Sequence, residues 1–188
     1  MGCEPEADRL AVERFRSYLL VLARIHLAGH AGNRLDPSDL VQQTLLDAHR
    51  RRGGFRGSSP SEMAGWLRRV LACNLADAWR ALKRGKRDVA RERSLEAELA
   101  VSSARLEACV PADQSSPSDR AMQNERLLHL ADALTALPDT QREALALHYC
   151  QGLPLVEVAA RMGRTPASVA GLLQRGLKAL RERLSEGE

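Results

Sequence analysis

The chain has 188 residues, which is enough for one or two small domains that each bury a core of their own. Hydrophobic residues make up 44% and charged residues 28%, which excludes a disordered composition, and aromatic residues make up only 3%, so Leu, Ala and Val must build a core that favours helices. The formal net charge of +4 is modest, so any nucleic-acid function depends on where the basic residues cluster.

The cysteine spacing and the hydropathy pattern exclude several other classes of protein. Cys3, Cys73, Cys109 and Cys150 form no Cys-x-x-Cys pair, so neither a zinc site nor a redox motif is indicated. No apolar run approaches the ~20 residues that a membrane span requires, and the N-terminal residues lack the pattern of a signal peptide. The sequence therefore predicts a cytoplasmic protein.

Two helices are predicted in the first fifty residues. An amphipathic pattern runs from about Glu6 to Ala28, and although His26 and His30 lie four residues apart, they have no third ligand, so we expect no metal site. Asp36-Pro37-Ser38-Asp39 supplies an N-cap, a proline in the first turn and an acidic residue for a second helix. This helix should reach about Arg52, and its apolar residues cover more than one narrow stripe, which indicates that part of it faces a partner.

A glycine-rich loop and a third helix follow. The loop from Gly53 to Pro60 has three glycines and Phe55, an aromatic residue that a solvated turn does not need. Ser59-Pro60-Ser61-Glu62 predicts a capping box at the start of the helix. The residues expected on its buried face are Trp66, Leu67, Val70, Leu71, Leu75 and Ala78. The helix then becomes basic, which favours contact with a phosphate backbone.

The segment 94–116 is acidic and contains several Ser and Pro residues, which predicts a flexible linker with at most a short helical piece. Two domains follow from this interpretation, at residues 1–93 and 117–188. In the second domain Ser116-Pro117-Ser118-Asp119 begins a helix that runs to Leu137, and Pro138 begins another. The residues expected on the buried side of that next helix are Ala144, Leu145, Leu147 and Tyr149.

The last predicted pair of helices is joined by a tight turn. Leu155, Val158, Ala159 and Met162 recur at helical spacing, Gly163 ends that helix, and Thr165-Pro166 begins the next. In the final helix one apolar stripe is formed by Val169, Leu172, Leu173, Leu177 and Leu180, which leaves the opposite face available for contact. Such a pair is the arrangement that places a helix in the major groove of DNA. The sequence thus predicts an all-α fold of two small helical domains, the second containing a helix-turn-helix.

Taken together, these segments resemble the extracytoplasmic-function (ECF) class of sigma factors, the promoter-recognition subunits of bacterial RNA polymerase. The resemblance rests on Asp39-Leu40-Val41-Gln42-Gln43-Thr44, on Phe55-Arg56-Gly57 before Trp66-Leu67, on Asn74-Leu75 before the basic run, and on Leu137-Pro138 through Leu180. It implies core RNA polymerase and promoter DNA as partners and allows an anti-sigma factor. It implies no catalytic group, no cofactor, no membrane partner and no small-molecule substrate.

The resemblance also implies three groups of contact residues. Docking on the clamp helices of the polymerase large subunit is expected of Asp39, Gln42, Gln43 and Leu46. Capture of a flipped minus-ten base, and contact with the adjoining DNA, is expected of Phe55, Arg56, Gly57, Ser58, Asn74, Asp77, Arg80, Lys83, Arg84, Lys86 and Arg87. Contact with the minus-thirty-five element is expected of Arg164, Thr165, Ser168, Gly171, Gln174, Arg175 and Lys178. The family commonly carries Lys, Ser or Arg at the sites where this chain has Ala170, Gly171 and Leu173, so the basic face of the last helix is thinned.

The residues alone leave three other functions open. A stand-alone transcriptional regulator would use the same helix-turn-helix, but it has no use for the Asp39 helix, the glycine loop and the basic helix. A metal-dependent nuclease would need convergent carboxylates, whereas most acidic residues here are helix caps or lie in the linker. An adaptor that only sequesters another regulator would leave the basic helix unexplained.

Overall fold

The structure of the chain, a computed structural model, describes residues 11–28, 35–83, 89–108 and 117–185, with side chains at 11–27, 35–81, 92–108 and 124–185. Within these ranges every regular element is helical and no strand occurs, which confirms the predicted all-α fold. The helices are α1 (Arg16–Ala28), α2 (Pro37–Arg50), α3 (Pro60–Lys83), α4 (Val89–Ala108), α5 (Pro117–Thr135), α6 (Asp139–Leu145), α7 (Leu155–Arg161) and α8 (Pro166–Ser185). A turn of 3-10 helix at Arg52–Gly54 follows α2, and a π-helical turn at Ala146–Cys150 continues α6.

The chain divides into two compact units. Unit 1 lies within Met1–Val101 and unit 2 within Ser102–Glu188. The division falls inside the segment 94–116 that the sequence assigns to the linker, so α4 contributes its first part to unit 1 and its second part to unit 2. None of the helices in the described ranges combines the length and apolar character that crossing a bilayer requires.

The core of unit 1 lies between α1, α2 and α3. Its largest fully buried side chains include Tyr18 and Leu22 from α1, Leu45 from α2, and Leu67 and Leu71 from α3. The predicted buried face of α3 is confirmed at Leu67, Val70, Leu71 and Leu75, whereas Trp66 and Ala78 are only half-buried. Trp66 lies at the edge of this core because its indole packs against the loop residue Phe55, with the ring centroids 5.2 Å apart.

Two polar contacts fix the helices of unit 1 to each other. Arg68 Nη1 donates a hydrogen bond of 2.7 Å to the hydroxyl oxygen of Tyr18, which joins α3 to α1. Asn74 Nδ2 donates at 3.2 Å to Oγ1 of the fully buried Thr44, whose hydroxyl donates in turn to the carbonyl of Leu40 at 2.8 Å. Since buried polar groups are costly when unpaired, this chain of bonds specifies how α2 lies against α3.

Residues 94–108 of α4 differ from the expected flexible linker because they are helical. In unit 1, Leu95 and Leu99 are buried four residues apart, and in unit 2 Leu106 is buried seven residues further along the same face. Burial of this stripe outweighs the low helix propensity of the intervening serines, on which the prediction of a linker depended. Residues 109–116 of the predicted linker lie outside the described residues.

Unit 2 is formed by α5 to α8 and the second part of α4. The predicted apolar stripe of α8 is confirmed at Val169, Leu172, Leu173 and Leu180, which are buried, while Leu177 is half-buried. Gly176 lets α8 approach α6 closely, because a Cβ atom there would lie 2.8 Å from Leu145 Cδ1.

The expected burial of Tyr149 is wrong, since 39% of this residue is exposed. The cause is the π-helical turn at Ala146–Cys150, in which the Gln151 N–H donates to the Ala146 carbonyl five residues earlier. One extra residue per turn rotates the residues that follow away from the faces that a regular helix would give them. Cys150 is buried, and Tyr149 is turned outward.

The packing of α4 on unit 1 predicts unequal effects for two truncations on this helix. Leu99→Ala removes a fully buried side chain and should lower the free energy of unfolding of unit 1 by about 2–4 kcal/mol. Val101→Ala is the matched control, because Val101 is 51% exposed, and it should change this free energy by less than about 0.5 kcal/mol. Urea unfolding followed by tryptophan fluorescence measures unit 1 alone, since both tryptophans lie there. Equal effects of the two variants would contradict the packing.

Candidate functional site

One face of α2 is exposed and chemically mixed. Its members recur at positions i, i+3, i+4 and i+7, so they lie side by side: Asp39, Gln42, Gln43 and Leu46. Leu46 is 46% exposed although it is a large apolar residue, and its neighbour Leu45 is 2% exposed on the opposite side. We call the four residues the α2 face. A carboxylate, two amides and a leucine on a fixed helix can bind a protein surface through both polar and apolar contacts.

The start of α2 is fixed by its cap. Asp36 Oδ1 accepts a hydrogen bond of 2.6 Å from the Ser38 N–H, and Pro37 occupies the first helical turn, as the sequence predicts. Burial lowers the pKa of Arg24 from its ordinary value, and attraction to the Asp36 carboxylate opposes part of that shift. Further along the helix, Gln43 Nε2 donates to Asp47 Oδ2 at 3.0 Å. These bonds fix the N-terminal cap of α2 and the side chain of Gln43.

The loop between α2 and α3 is organised around the Phe55 ring. This ring packs on Trp66 with an interplanar angle of 40°, and the guanidinium carbon of Arg52 lies 4.8 Å from its centroid. The backbone of Gly57 lies so close to the Phe55 ring and to Glu62 that a Cβ atom at position 57 would lie 2.8 Å from Phe55 Cε2 and 2.9 Å from Glu62 Cβ. Only a residue without a side chain fits at position 57. Arg56 and Ser58 are exposed on either side of this glycine.

The predicted capping box at Ser59-Pro60-Ser61-Glu62 is confirmed. The N–H groups of Ser58 and Ser59 donate to Glu62 Oε2 at 2.9 and 3.1 Å, and the Glu62 N–H donates to Ser59 Oγ at 3.2 Å. The bond from the Ser58 N–H, followed by those from Ser59, lowers the pKa of the Glu62 carboxyl below its ordinary value. Because the charged form accepts these bonds, the cap stabilises the fold above the unfolded pKa and is lost as the pH falls through the lowered pKa.

The polar side of α3 is already engaged within unit 1. Arg80 forms an ion pair with Asp77, and its Nη2 lies 3.5 Å from Glu92 Oε1 of α4. Asn74, expected to contact DNA, donates its amide to Thr44 of α2, so its DNA contact stays a prediction. The side chain of Lys83 and the whole of Arg84, Lys86 and Arg87 lie outside the described residues.

The helix-turn-helix has the predicted local geometry. Gly163 has a φ of +61°, a conformation that glycine adopts without strain, and the Arg164 N–H donates to the Ala159 carbonyl at 2.9 Å to close α7. Thr165 Oγ1 accepts a hydrogen bond of 3.2 Å from the Ser168 N–H, which caps α8 at its first turn. The turn between the two helices is therefore short and fixed at both ends.

One face of α8 and the preceding turn is exposed and basic. The residues at the spacing of this face are Arg164, Ser168, Gly171, Gln174, Arg175 and Lys178, with Thr165 at its N-terminal end. We call these seven residues the α8 face. Ser168 and Gly171 are half-buried and the others are exposed. The Arg175 guanidinium folds back along the helix, since its Nη1 lies 3.3 Å from the Cβ position of Gly171. Among the described residues Arg175 has no ion-pair partner, so this charge is available to a ligand.

Arg105 of α4 makes a contact in unit 2 that the sequence does not predict. Its guanidinium donates to the carbonyls of Cys150 and Gln151 at the end of the π-helical turn, where a cation is favoured. Gly152, with a φ of +73°, gives it room, because a Cβ atom there would lie 2.8 Å from the guanidinium carbon. No local pattern marks this contact, since the partners lie 45 and 46 residues apart.

Unit 2 also contains an apolar cavity of about 430 Å³ that the sequence does not indicate. Its lining includes Leu106, Leu134, Leu145, Tyr149, Leu177 and Arg181. In the described part of the chain, no three His, Cys, Asp or Glu side chains come together as metal ligands would. His30 lies outside that part, and His26 Nδ1 lies 3.9 Å from Glu98 Oε2.

A comparison with protein families matches residues 127–180 to sigma-70 region 4, a stretch that contains α6, α7 and most of α8. Over 147 residues the chain is 31% identical to the probable RNA polymerase sigma factor RfaY of Xanthomonas campestris pv. campestris. This alignment covers 78% of the chain but 33% of RfaY, so the chain spans about a third of that relative.

Two further relatives align over most of their own length. The chain is 29% identical over 153 residues to the ECF RNA polymerase sigma factor SigF of Caulobacter vibrioides, covering 81% of the chain and 73% of SigF. It is 30% identical over 150 residues to the RNA polymerase sigma factor CarQ of Myxococcus xanthus, covering 80% of the chain and 75% of CarQ.

The close passage of Gly57 under the Phe55 ring predicts a specific effect of adding one methyl group. Gly57→Ala should push the ring off Trp66 and destabilise unit 1 by about 1–3 kcal/mol, because the added atom overlaps both Phe55 and Glu62. The control is Gly54→Ala in the same loop, where a Cβ atom meets nothing within 4 Å. Urea unfolding and the tryptophan emission spectrum measure both effects. Identical spectra and stabilities for the two variants would contradict this arrangement of the loop.

Proposed function

The chain belongs to the extracytoplasmic-function sigma factors of RNA polymerase, and from this membership we propose that it binds core RNA polymerase and directs transcription from promoters with two separate elements. In this proposal unit 1 carries the polymerase contact and the minus-ten contact, and unit 2 carries the minus-thirty-five contact. The protein would act in the cytoplasm, where its DNA template lies.

The α2 face is the proposed polymerase contact. An exposed leucine beside a carboxylate and two amides suits a protein partner better than it suits DNA, whose phosphates would repel Asp39. The buried Thr44 and Asn74 bond supports this assignment, since it holds the opposite side of α2 on α3 and keeps the face outward. The polymerase would therefore meet a surface that requires little reordering on binding.

The loop at residues 55–58 is the proposed receiver of an unstacked minus-ten base. Flipped bases are held by stacking and by hydrogen bonds from a prearranged pocket, beside a basic path for the backbone. The fixed Phe55 ring, the close passage of Gly57 and the exposed Arg56 support this role. The basic stretch from Arg80 to Arg87 would carry the adjoining strand. Binding energy at these contacts, rather than nucleotide hydrolysis, would open the duplex.

The α8 face is the proposed reader of the minus-thirty-five element. A glutamine pairs well with adenine and an arginine with guanine in the major groove, which are the chemistries of Gln174 and Arg175. Arg164 and Lys178 are exposed near the two ends of this face, and phosphate contacts from them would position the helix. One observation carries the whole proposal: a single chain of this family has both an outward α2 face and an open basic α8 face.

Two weak DNA contacts would gain strength from being joined. When one polymerase holds both units, binding of the first element raises the effective concentration of the second unit at the second element. Each unit alone then needs only modest affinity, which agrees with the few basic residues on α8.

The polymerase contact is tested by placing a charge on the α2 face. Leu46→Glu should weaken binding to core RNA polymerase by about tenfold or more, a loss of about 1.4 kcal/mol, and reduce promoter-specific run-off transcription in parallel. Val101→Glu is the control, because Val101 is similarly exposed but lies on α4. Co-purification with core polymerase measures the binding. If the unaltered protein binds promoter duplex tightly by itself and leaves run-off transcription by core polymerase unchanged, it is a stand-alone regulator instead.

The DNA contact of α8 is tested by removing one guanidinium. Arg175→Ala should lower promoter-specific transcription by an amount equivalent to about 1–3 kcal/mol of binding free energy. The loss should be confined to promoters with one particular base pair. Arg183→Ala removes the same charge two turns further along α8 and should have a small effect on every promoter. Run-off transcription on a set of single-base promoter variants separates the two outcomes. An equal loss on all variants would make Arg175 a phosphate contact.

A further inference from the structure

Two arginines of α3 lie on one side of this helix, eleven residues and therefore about three turns apart. They are Arg69, whose side chain is 68% exposed, and Arg80, whose side chain is 26% exposed. Arg80 belongs to the proposed DNA path, and the shared side extends that path toward the start of α3 as far as Arg69. We call these two residues the α3 strip.

Both members of the α3 strip are held by carboxylates of α4. Arg69 Nε lies 2.8 Å from Glu96 Oε1, and Arg80 Nη2 lies 3.5 Å from Glu92 Oε1. The glutamates are four residues apart, so they project from one face of α4 toward the two arginines. Leu95 and Leu99, which are 3% and 0% exposed, anchor this part of α4 on unit 1. The pairing is thus part of the packed unit.

We propose that the α3 strip is a nucleic-acid contact and that Glu92 and Glu96 compete with DNA phosphates for it. A carboxylate and a phosphate offer an arginine the same charge and similar oxygen acceptors, so the two ligands exclude each other at one guanidinium. DNA must displace the carboxylates before it gains these two contacts. The inference rests on the proposed function, adds Arg69 to its DNA path, and predicts that the isolated chain binds nucleic acid less tightly than its basic residues alone would allow.

The exposure of the pairs makes this exchange feasible. The Arg69 and Glu96 pair lies mostly in solvent, where an ion pair is weak and is screened by salt. The Arg80 and Glu92 pair is less exposed to solvent, and Asp77 also contacts Arg80. DNA should therefore displace the carboxylates from Arg80 only after it has displaced Glu96 from Arg69. A strand that approaches from the Arg69 end meets the weaker competitor first.

Neutralising the two competing carboxylates tests the inference on the full chain. The variant carries Glu92→Gln and Glu96→Gln, and the probe is a labelled single-stranded oligo(dT) of about 12 nucleotides, a length within one binding site. Fluorescence anisotropy should show binding at least about fivefold tighter than that of the unaltered chain. The slope of log K against log salt should steepen by about 0.7 to 1.4, since the freed Arg69 would release about 0.7 ion from a single strand and Arg80, which keeps its ion pair with Asp77, would release at most as much.

The matched control removes the same amount of negative charge from the same helix. Glu98→Gln with Glu107→Gln leaves both members of the α3 strip paired, because these glutamates contact His26 and Ser103 instead. This control should bind the oligonucleotide less than about twofold more tightly than the unaltered chain does. Adding Arg69→Gln and Arg80→Gln to the first variant should abolish its gain. Should the double variant fail to fold by circular dichroism, Glu96→Gln alone at the exposed pair should give part of the gain.

The proposal is overturned if the two double variants gain the same affinity for the oligonucleotide, or if Glu92→Gln with Glu96→Gln gains none. Run-off transcription with core polymerase distinguishes this result from a failure of the proposed function. If the unaltered chain supports run-off but the first pair gives no gain in oligonucleotide binding, only the competition is wrong. If the unaltered chain supports no run-off, the proposed function is wrong whatever the oligonucleotide shows.

Discussion

Both units depend on the burial of one apolar face per helix. With few aromatic residues, the core consists mostly of leucine, alanine and valine, and each helix must set its stripe of these residues against its neighbours. On α2 and α8 the opposite face of the same helix is turned to solvent. The α2 face and the α8 face are both consequences of this constraint, because the packing of Leu45 and of Val169 fixes which residues remain outside.

The two proposed DNA surfaces differ in how their charge is compensated. On α3 the guanidinium of Arg80 is paired within unit 1, whereas on α8 the Arg175 guanidinium has no ion-pair partner among the described residues. A paired cation contributes to binding only by exchange, so its contribution depends on the strength of the competing carboxylate. The net charge of +4 conceals this difference, since it adds the paired and the open cations together.

Small residues determine the geometry of both surfaces. Gly57 lets the loop backbone pass under Phe55, Gly163 turns the chain between α7 and α8, and Gly171 gives the Arg175 side chain room along the helix. Each does this by the absence of a Cβ atom, although only Gly163 adopts a positive φ among the three. The loop and the helix-turn-helix thus use glycine for different physical reasons.

Features that depend on near neighbours along the chain could be predicted from the amino-acid sequence. The Asp36 cap, the capping box of Ser59 and Glu62, the turn at Gly163 and the stripe of α8 all follow from residues within a few positions of each other, so their physics is complete in a short peptide. The helical state of residues 94–108 depends instead on packing, since Leu95 and Leu99 favour a helix there only once unit 1 buries them.

The tertiary structure likewise decided the bond from Asn74 to Thr44, the anchoring of Arg105 and the outward turn of Tyr149. The first two join residues 30 to 46 positions apart. The third depends on a π-helical turn that no spacing of apolar residues announces. In the first two cases the stabilising contact is with a residue that folding brings close, so no local sequence pattern indicates it.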